Sequence, residues 1–176
     1  MTEITLEITK YCENECPFCS TDASVCGEHL PYDTIFKFLD KEHSNKHIDR
    51  INISGGEPLS HPDFYKILRL CKELTDNVWV YTNALDKIIV NSRVVKKVTV
   101  HSNVCVVPGE IYIPGPDEVD QVHLLKLVKQ GRAKDYPDLN ISVSRNFYDP
   151  QHCDKCNHIY LQANGEVVTG PCKKTY

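Results

Sequence analysis

Thr2-Glu3-Ile4-Thr5-Leu6-Glu7-Ile8-Thr9-Lys10-Tyr11-Cys12-Glu13-Asn14-Glu15-Cys16-Pro17-Phe18-Cys19 is the stretch that decides the fold. Ile4, Leu6 and Ile8 alternate with polar residues, so an extended strand here has one apolar face. The strand runs directly into three cysteines spaced C-x3-C-x2-C. Three thiols so close together let one loop hold three irons of a four-iron, four-sulfur cluster. No fourth cysteine stands beside them, and an iron without a protein thiolate is an open coordination site. The same spacing with a distant fourth ligand is also open to zinc.

Outward from this stretch, the signals alternate between strand and helix. Asp33 reads as the N-cap of a helix over 33–43, with Ile35, Phe36 and Leu39 at helical spacing. Ile51 to Ser54 is a second short strand, ending in Gly55-Gly56. Ser60 reads as the cap of a second helix that tolerates Pro62 in its first turn, and Phe64, Ile67, Leu68, Cys71 and Leu74 form its apolar stripe. Val78 and Val80, with Trp79 and Tyr81, make a third strand, and Val94 to Val100 a fourth. Val104 to Ile113 reads as a fifth strand, Asp117 to Gln130 as a helix stopped by Gly131, and Leu139 to Ser144 as a sixth strand.

Strands alternating with helices imply parallel β/α units. Six units fall short of the eight in a closed barrel, so the expected class is α/β: a partial (β/α)6 TIM-like barrel over 1–147. A short cysteine-rich hairpin extension follows over 148–176. The functional site is expected at the C-terminal rim of the strands, where both the early cysteines and the double glycine fall.

Composition narrows the class. The chain has 176 residues, 41% of them hydrophobic and 25% charged, which suits one core-forming domain with a small appendage. No run approaches the ~20 consecutive apolar residues of a membrane span. The start lacks the basic and apolar blocks of an export signal, so a cytoplasmic location is expected and no membrane partner. Net charge is −4, concentrated in the first thirty residues, and no basic cluster marks a nucleic-acid polymer as partner. Nine cysteines, an odd number without an export signal, argue for metal binding over disulfides.

The C-x3-C-x2-C loop after the first strand, with Phe18 before its last cysteine, resembles that of the radical S-adenosylmethionine (SAM) superfamily. Gly55-Gly56-Glu57-Pro58 after the second strand is similar to the same family's second motif. The resemblance implies that Cys12, Cys16 and Cys19 bind a 4Fe-4S cluster whose unique iron is chelated by SAM. One electron then breaks the sulfonium carbon–sulfur bond, and a 5′-deoxyadenosyl radical abstracts hydrogen from the substrate. Gly55 and Gly56 would let the backbone approach the methionine moiety and offer it hydrogen bonds. Glu57 would complement the ammonium group. Phe18, Pro58, Asn83 after the third strand and Ser102 after the fourth complete the expected cofactor-binding set. For Asn83 and Ser102, a turn residue and a solvated strand end are the plainer readings.

Cys153, Cys156 and Cys172 form a second group, C-x2-C-x15-C, with Asn164-Gly165 between them reading as a two-residue hairpin turn. The tail is similar to the auxiliary-cluster segment, twitch or SPASM, of radical SAM enzymes, and most similar to the molybdenum cofactor biosynthesis protein A family. His158 replaces that family's basic residue and the Gly-Gly tail is absent, so its GTP cyclisation does not transfer. A second 4Fe-4S cluster is expected on the three cysteines. The alternative is a zinc site completed by His152 or His158. Cys71 and Cys105 read as small buried hydrophobes and Cys26 as a spare loop thiol.

The expected function is a radical SAM enzyme with a small molecule or nucleotide as substrate in preference to a peptide. A one-electron reductant such as ferredoxin or flavodoxin would serve it. A glycyl-radical activase and a non-catalytic electron-transfer module are the rival readings.

Overall fold

The computed structural model describes residues 1–17, 19–82, 131–135 and 157–169, together with the backbone of 99–102. Its elements are β1 (Glu3–Glu7), α1 (Tyr32–Asn45), β2 (Arg50–Ser54), α2 (Phe64–Leu74), β3 (Val78–Thr82), β4 (Thr99–Ser102), β5 (Ile159–Leu161) and β6 (Val167–Thr169). Two 3-10 turns, Pro58–Ser60 and Gly131–Asp135, join them. The strands make one sheet in the order β4-β3-β2-β1-β5-β6. From β1 to β4 each strand lies parallel to its predecessor, the arrangement expected of consecutive β/α units and an α/β fold. The expected fifth and sixth strands, the helix over 117–130 and residues 94–98 of the fourth strand lie outside the described residues.

Register sorts the side chains onto two faces. Ile4 pairs with Ile51 and Ile159, Leu6 with Ile53 and Leu161, and Val78 and Val80 continue the two rows. All of these are buried. Ile35, Phe38 and Leu39 of α1 and Phe64, Ile67, Leu68 and Cys71 of α2 join them in one apolar core. Each fully buried aliphatic or aromatic side chain there stabilises the fold by about 1.5–3 kcal/mol. The opposite face carries Glu3, Thr5, Glu7, Arg50, Asn52, Trp79, Tyr81 and Tyr160, because successive strand residues alternate sides.

Both helices start elsewhere than the sequence suggests. Pro31, with no side-chain cap bond, precedes Tyr32 in α1, which leaves Asp33 in the first turn beside the positive end of the helix dipole. Phe36 is 44% exposed and stacks on Tyr32 at 6.3 Å, while Phe38 takes the core position. The stripe Ile35, Phe38, Leu39 follows i, i+3, i+4 spacing, and Phe36 lies off it. Ser60 does not cap α2. It closes the 3-10 turn, and α2 begins only at Phe64 with Asp63 at its N-cap. Pro62 holds the preceding His61 in an extended conformation, so no helix can run through it. His61 Nδ1 accepts from Asp63 N–H at 3.0 Å, which leaves Nε2 to donate to Leu30 O at 2.9 Å.

The tail hairpin forms, but its turn has three residues, not two. Gln162 N–H donates to Glu166 O, Gly165 N–H to Gln162 O, and Gly165 adopts φ +84. That left-handed residue after a tight turn is what a three-residue hairpin needs. β5 pairs parallel with β1, so the hairpin is built into the sheet at β1's free edge. Among the described residues no helix is long and apolar enough to cross a membrane.

Candidate metal and cofactor site

Beyond β1 the chain leaves as a loop whose two arms are laced together. Lys10 N–H donates to Glu28 O, Cys12 N–H to Ser24 O, Ser24 N–H to Lys10 O and Leu30 N–H to Ile8 O, all at 2.8–3.0 Å. Residues 13–23 are therefore a loop with a closed neck. Glu15 at φ 40 and Asp22 at φ 57 turn it, and Cys19 N–H donates to Cys16 O at 3.1 Å. Cys12 is buried, and Cys16 and Cys19 are half-buried. Phe18 lies outside the described residues.

Cys19 has two polar neighbours within the loop. Its Sγ lies 3.3 Å from Thr21 Oγ1 and accepts Ala23 N–H at 3.4 Å. Hydrogen bonds to a metal-bound sulfur tune the cluster that it holds. Among the described residues no three His, Cys, Asp or Glu side chains converge on a single metal ion.

The double glycine packs on the neck of this loop. Gly55 has φ +134, and a Cβ there would lie 2.4 Å from Thr9 O, while one on Gly56 would lie 2.2 Å from Tyr11 O. Gly56 N–H donates to Thr9 O at 2.7 Å and Glu57 N–H to Tyr11 O at 2.8 Å. The close approach that demands glycine is thus to the protein's own backbone. The Gly56 N–H that the sequence reading offered to the methionine moiety is already given to Thr9. Thr21 adds a third link by donating to Gly55 O at 3.5 Å.

Glu57 is buried, and its Oε1 accepts Leu59 N–H at 3.0 Å and the Thr82 hydroxyl at 2.6 Å. Pro58 follows at the first position of the 3-10 turn, where its missing N–H goes unneeded. Ser102 ends β4 in register with Thr82. Asn83, Cys105, Cys153, Cys156 and Cys172 lie outside the described residues. Cys26 is an exposed loop thiol, as read from the sequence, and Cys71 is fully buried, its thiol pushed well up by burial. His158, an alternative zinc ligand, has its Nε2 2.6 Å from Thr5 Oγ1.

The polar sheet face holds groups the sequence reading did not single out. Glu7, at the end of β1, accepts the Tyr160 hydroxyl at 3.0 Å and Ala163 N–H at 3.4 Å. Burial raises its carboxyl above the usual range against the pull of those two bonds. Burial pushes Tyr81 up to about 12 and Tyr160 higher, so both remain neutral phenols at physiological pH. Arg50 pairs with Glu3 at 3.4 Å and lies over the Trp79 ring at 4.4 Å. Among the described residues, Arg50 Nε and Asn52 Oδ1 are buried without a hydrogen-bond partner. The signal for this face was the polar half of the alternation, Glu3, Thr5, Glu7 and Thr9. Arg132, which reaches the cysteine loop, carried no sequence signal.

Comparison with curated proteins gives no match. Among solved structures, the chain is similar to Streptococcus suis SuiB bound to precursor peptide SuiA. That match has 23% identity and a TM-score of 0.47, over 56% of this chain and 23% of that one. It is also similar to SuiB bound to S-adenosylmethionine, with 26% identity and a TM-score of 0.39, over 47% and 19% respectively. The chain spans less than a quarter of the length of these structures. The family model described as the Radical SAM superfamily matches residues 6–104, more than half of the chain and across both motifs, and the chain belongs to that superfamily.

Proposed function

We propose that the chain is a radical SAM enzyme in which Cys12, Cys16 and Cys19 hold a 4Fe-4S cluster and the segment Gly55–Pro58 helps hold SAM. The observation that carries this reading is that the two motifs meet: Gly56 and Glu57 donate to Thr9 and Tyr11, the residues leading into the first cysteine. A cluster held by these three thiolates would supply one electron for reductive cleavage of bound SAM and so for hydrogen abstraction from the substrate. The protein's own residues fix the loop, cover Cys12 and offer donors to Cys19 sulfur. A small polar molecule or nucleotide is the substrate favoured by the polar sheet face, where, among the described residues, Arg50 Nε and Asn52 Oδ1 have no hydrogen-bond partner. A one-electron reductant of the ferredoxin or flavodoxin kind completes the scheme.

Cys153, Cys156 and Cys172 hold a second 4Fe-4S cluster in this proposal. Ile159 pairs with Thr169, which brings together the strand ends that lie three residues from Cys156 and from Cys172 in sequence and supports the grouping. Anaerobic reconstitution with iron and sulfide, followed by iron counting and a 5′-deoxyadenosine assay with dithionite and SAM, tests both parts. The expected result is about eight irons per chain and product formation. Replacing Cys12, Cys16 and Cys19 by Ala abolishes the product. Replacing Cys153, Cys156 and Cys172 removes about half the iron and spares SAM cleavage. Four irons with one zinc would overturn the second cluster alone, and no product from the wild type would overturn the enzyme.

A further inference from the structure

We infer that Arg132 is a positioning residue for the cysteine loop, its guanidinium pinning the middle and the far side of the loop so that the three thiols keep their mutual spacing. The inference rests on the cluster assignment for the purpose of this spacing, while the contacts themselves belong to the chain. Arg132 Nε donates to Cys16 O at 3.1 Å, one terminal nitrogen to the Asp22 carboxylate at 3.1 Å, and the other to Ala23 O. One planar group thus bridges two backbone carbonyls and a side chain from across more than a hundred residues of sequence. Only a guanidinium has donors preset in such a fork; a lysine ammonium is a single flexible point.

The neighbours of Arg132 make the same contact from the backbone side. Ala133 N–H donates to Cys19 O at 3.3 Å, and Ala133 is fully buried. Gly131 has φ +52, and a Cβ there would lie 2.8 Å from Cys19 O and 2.9 Å from Asp22 N. The segment Gly131–Asp135 therefore satisfies carbonyls of Cys16, Cys19 and Ala23. Half-buried loop carbonyls need such partners, since the loop forms no regular ladder of its own. Glu15 and Asp22 both hold positive φ, a conformation non-glycine residues keep only when surrounding contacts enforce it. The clamp supplies that enforcement at Asp22 directly.

The test compares wild type with Arg132→Ala, Arg132→Lys and Gly131→Ala. In the apo chain, hydrogen exchange across residues 12–24 is expected to quicken in all three, while exchange in β1 and α2 stays at the wild-type rate. In the reconstituted protein, iron loss to a ferrous chelator is expected to be about tenfold faster in Arg132→Ala, as for other supports of metal ligands. Arg132→Lys is expected to fall near Arg132→Ala and not near wild type. The EPR spectrum of the reduced cluster is expected to shift when SAM is added to the wild type and to broaden in the variants. Unchanged loop exchange, or a Lys variant equal to wild type in both readouts, overturns the clamp. If the wild type takes up no four-iron cluster, the proposed function falls, and the apo exchange measurement still decides the clamp.

Discussion

Thr82 donates its hydroxyl hydrogen to Glu57 Oε1 at 2.6 Å and so joins the end of β3 to the turn after β2. The same oxygen accepts Leu59 N–H, so one buried carboxylate both caps the 3-10 turn and anchors a neighbouring strand. Thr82→Val keeps the shape and removes the donor. Losing a buried hydrogen bond to a charged group costs about 1.5–3 kcal/mol, and the urea midpoint of the apo variant is expected to drop accordingly.

Glu7 makes stability depend on pH in a predictable direction. Burial raises its carboxyl in the folded chain above the ordinary value of 4.5, against which the Tyr160 and Ala163 bonds pull only in part. Above that ordinary value, and up to the raised one, the folded state holds more protons than the unfolded state. Stability therefore falls as pH rises through that interval. Glu7→Gln removes the proton and with it this contribution. Urea titrations between about pH 4.5 and about pH 8 are expected to show a flatter profile for the variant than for wild type.

The two isolated cysteines within the described residues differ in accessibility. Cys26 is exposed, while Cys71 is fully buried and its thiol is held far from ionisation. Alkylation needs the thiolate and access to it. Iodoacetamide treatment of the native apo chain followed by mass spectrometry is expected to label Cys26 and to leave Cys71 unmodified until denaturant is added.

Phe36 and Phe38 separate the two sides of α1. Phe38→Ala is expected to cost about 3 kcal/mol, as for buried phenylalanines, and Phe36→Ala less than about 1 kcal/mol. Paired urea denaturation curves measure both.

That pair also shows where sequence reading stops. The alternation of Ile4, Leu6 and Ile8, and the stripe Phe64, Ile67, Leu68 and Cys71, were legible because each repeats the period of its element. On α1, Ile35 and Leu39 were legible too, but a helix with two phenylalanines two residues apart, on opposite sides, needs its exact phase to tell core from surface. The start of α2 was masked by Ser60, a good cap residue that Pro62 prevents from capping anything helical. At the site, the cysteine loop and the Gly-Gly turn announced themselves through spacing. Their direct hydrogen bonding did not, because backbone contacts between Gly56 and Thr9 leave no mark in side-chain identity. Arg132 was invisible for a related reason: two of its three partners are backbone carbonyls, which every residue has.

The placement of β5 beside β1 bears on how the molecule is made. Ile4 pairs on one side with Ile51 and on the other with Ile159. A ribosome delivers more than a hundred residues beyond Ile51 before the second of these partners exists. Until then β1 presents a bare row of backbone donors and acceptors, the template on which chains stick to one another. Nascent chains that stop before residue 159 therefore keep this edge of β1 unpaired by β5, and completing the hairpin seals that seam.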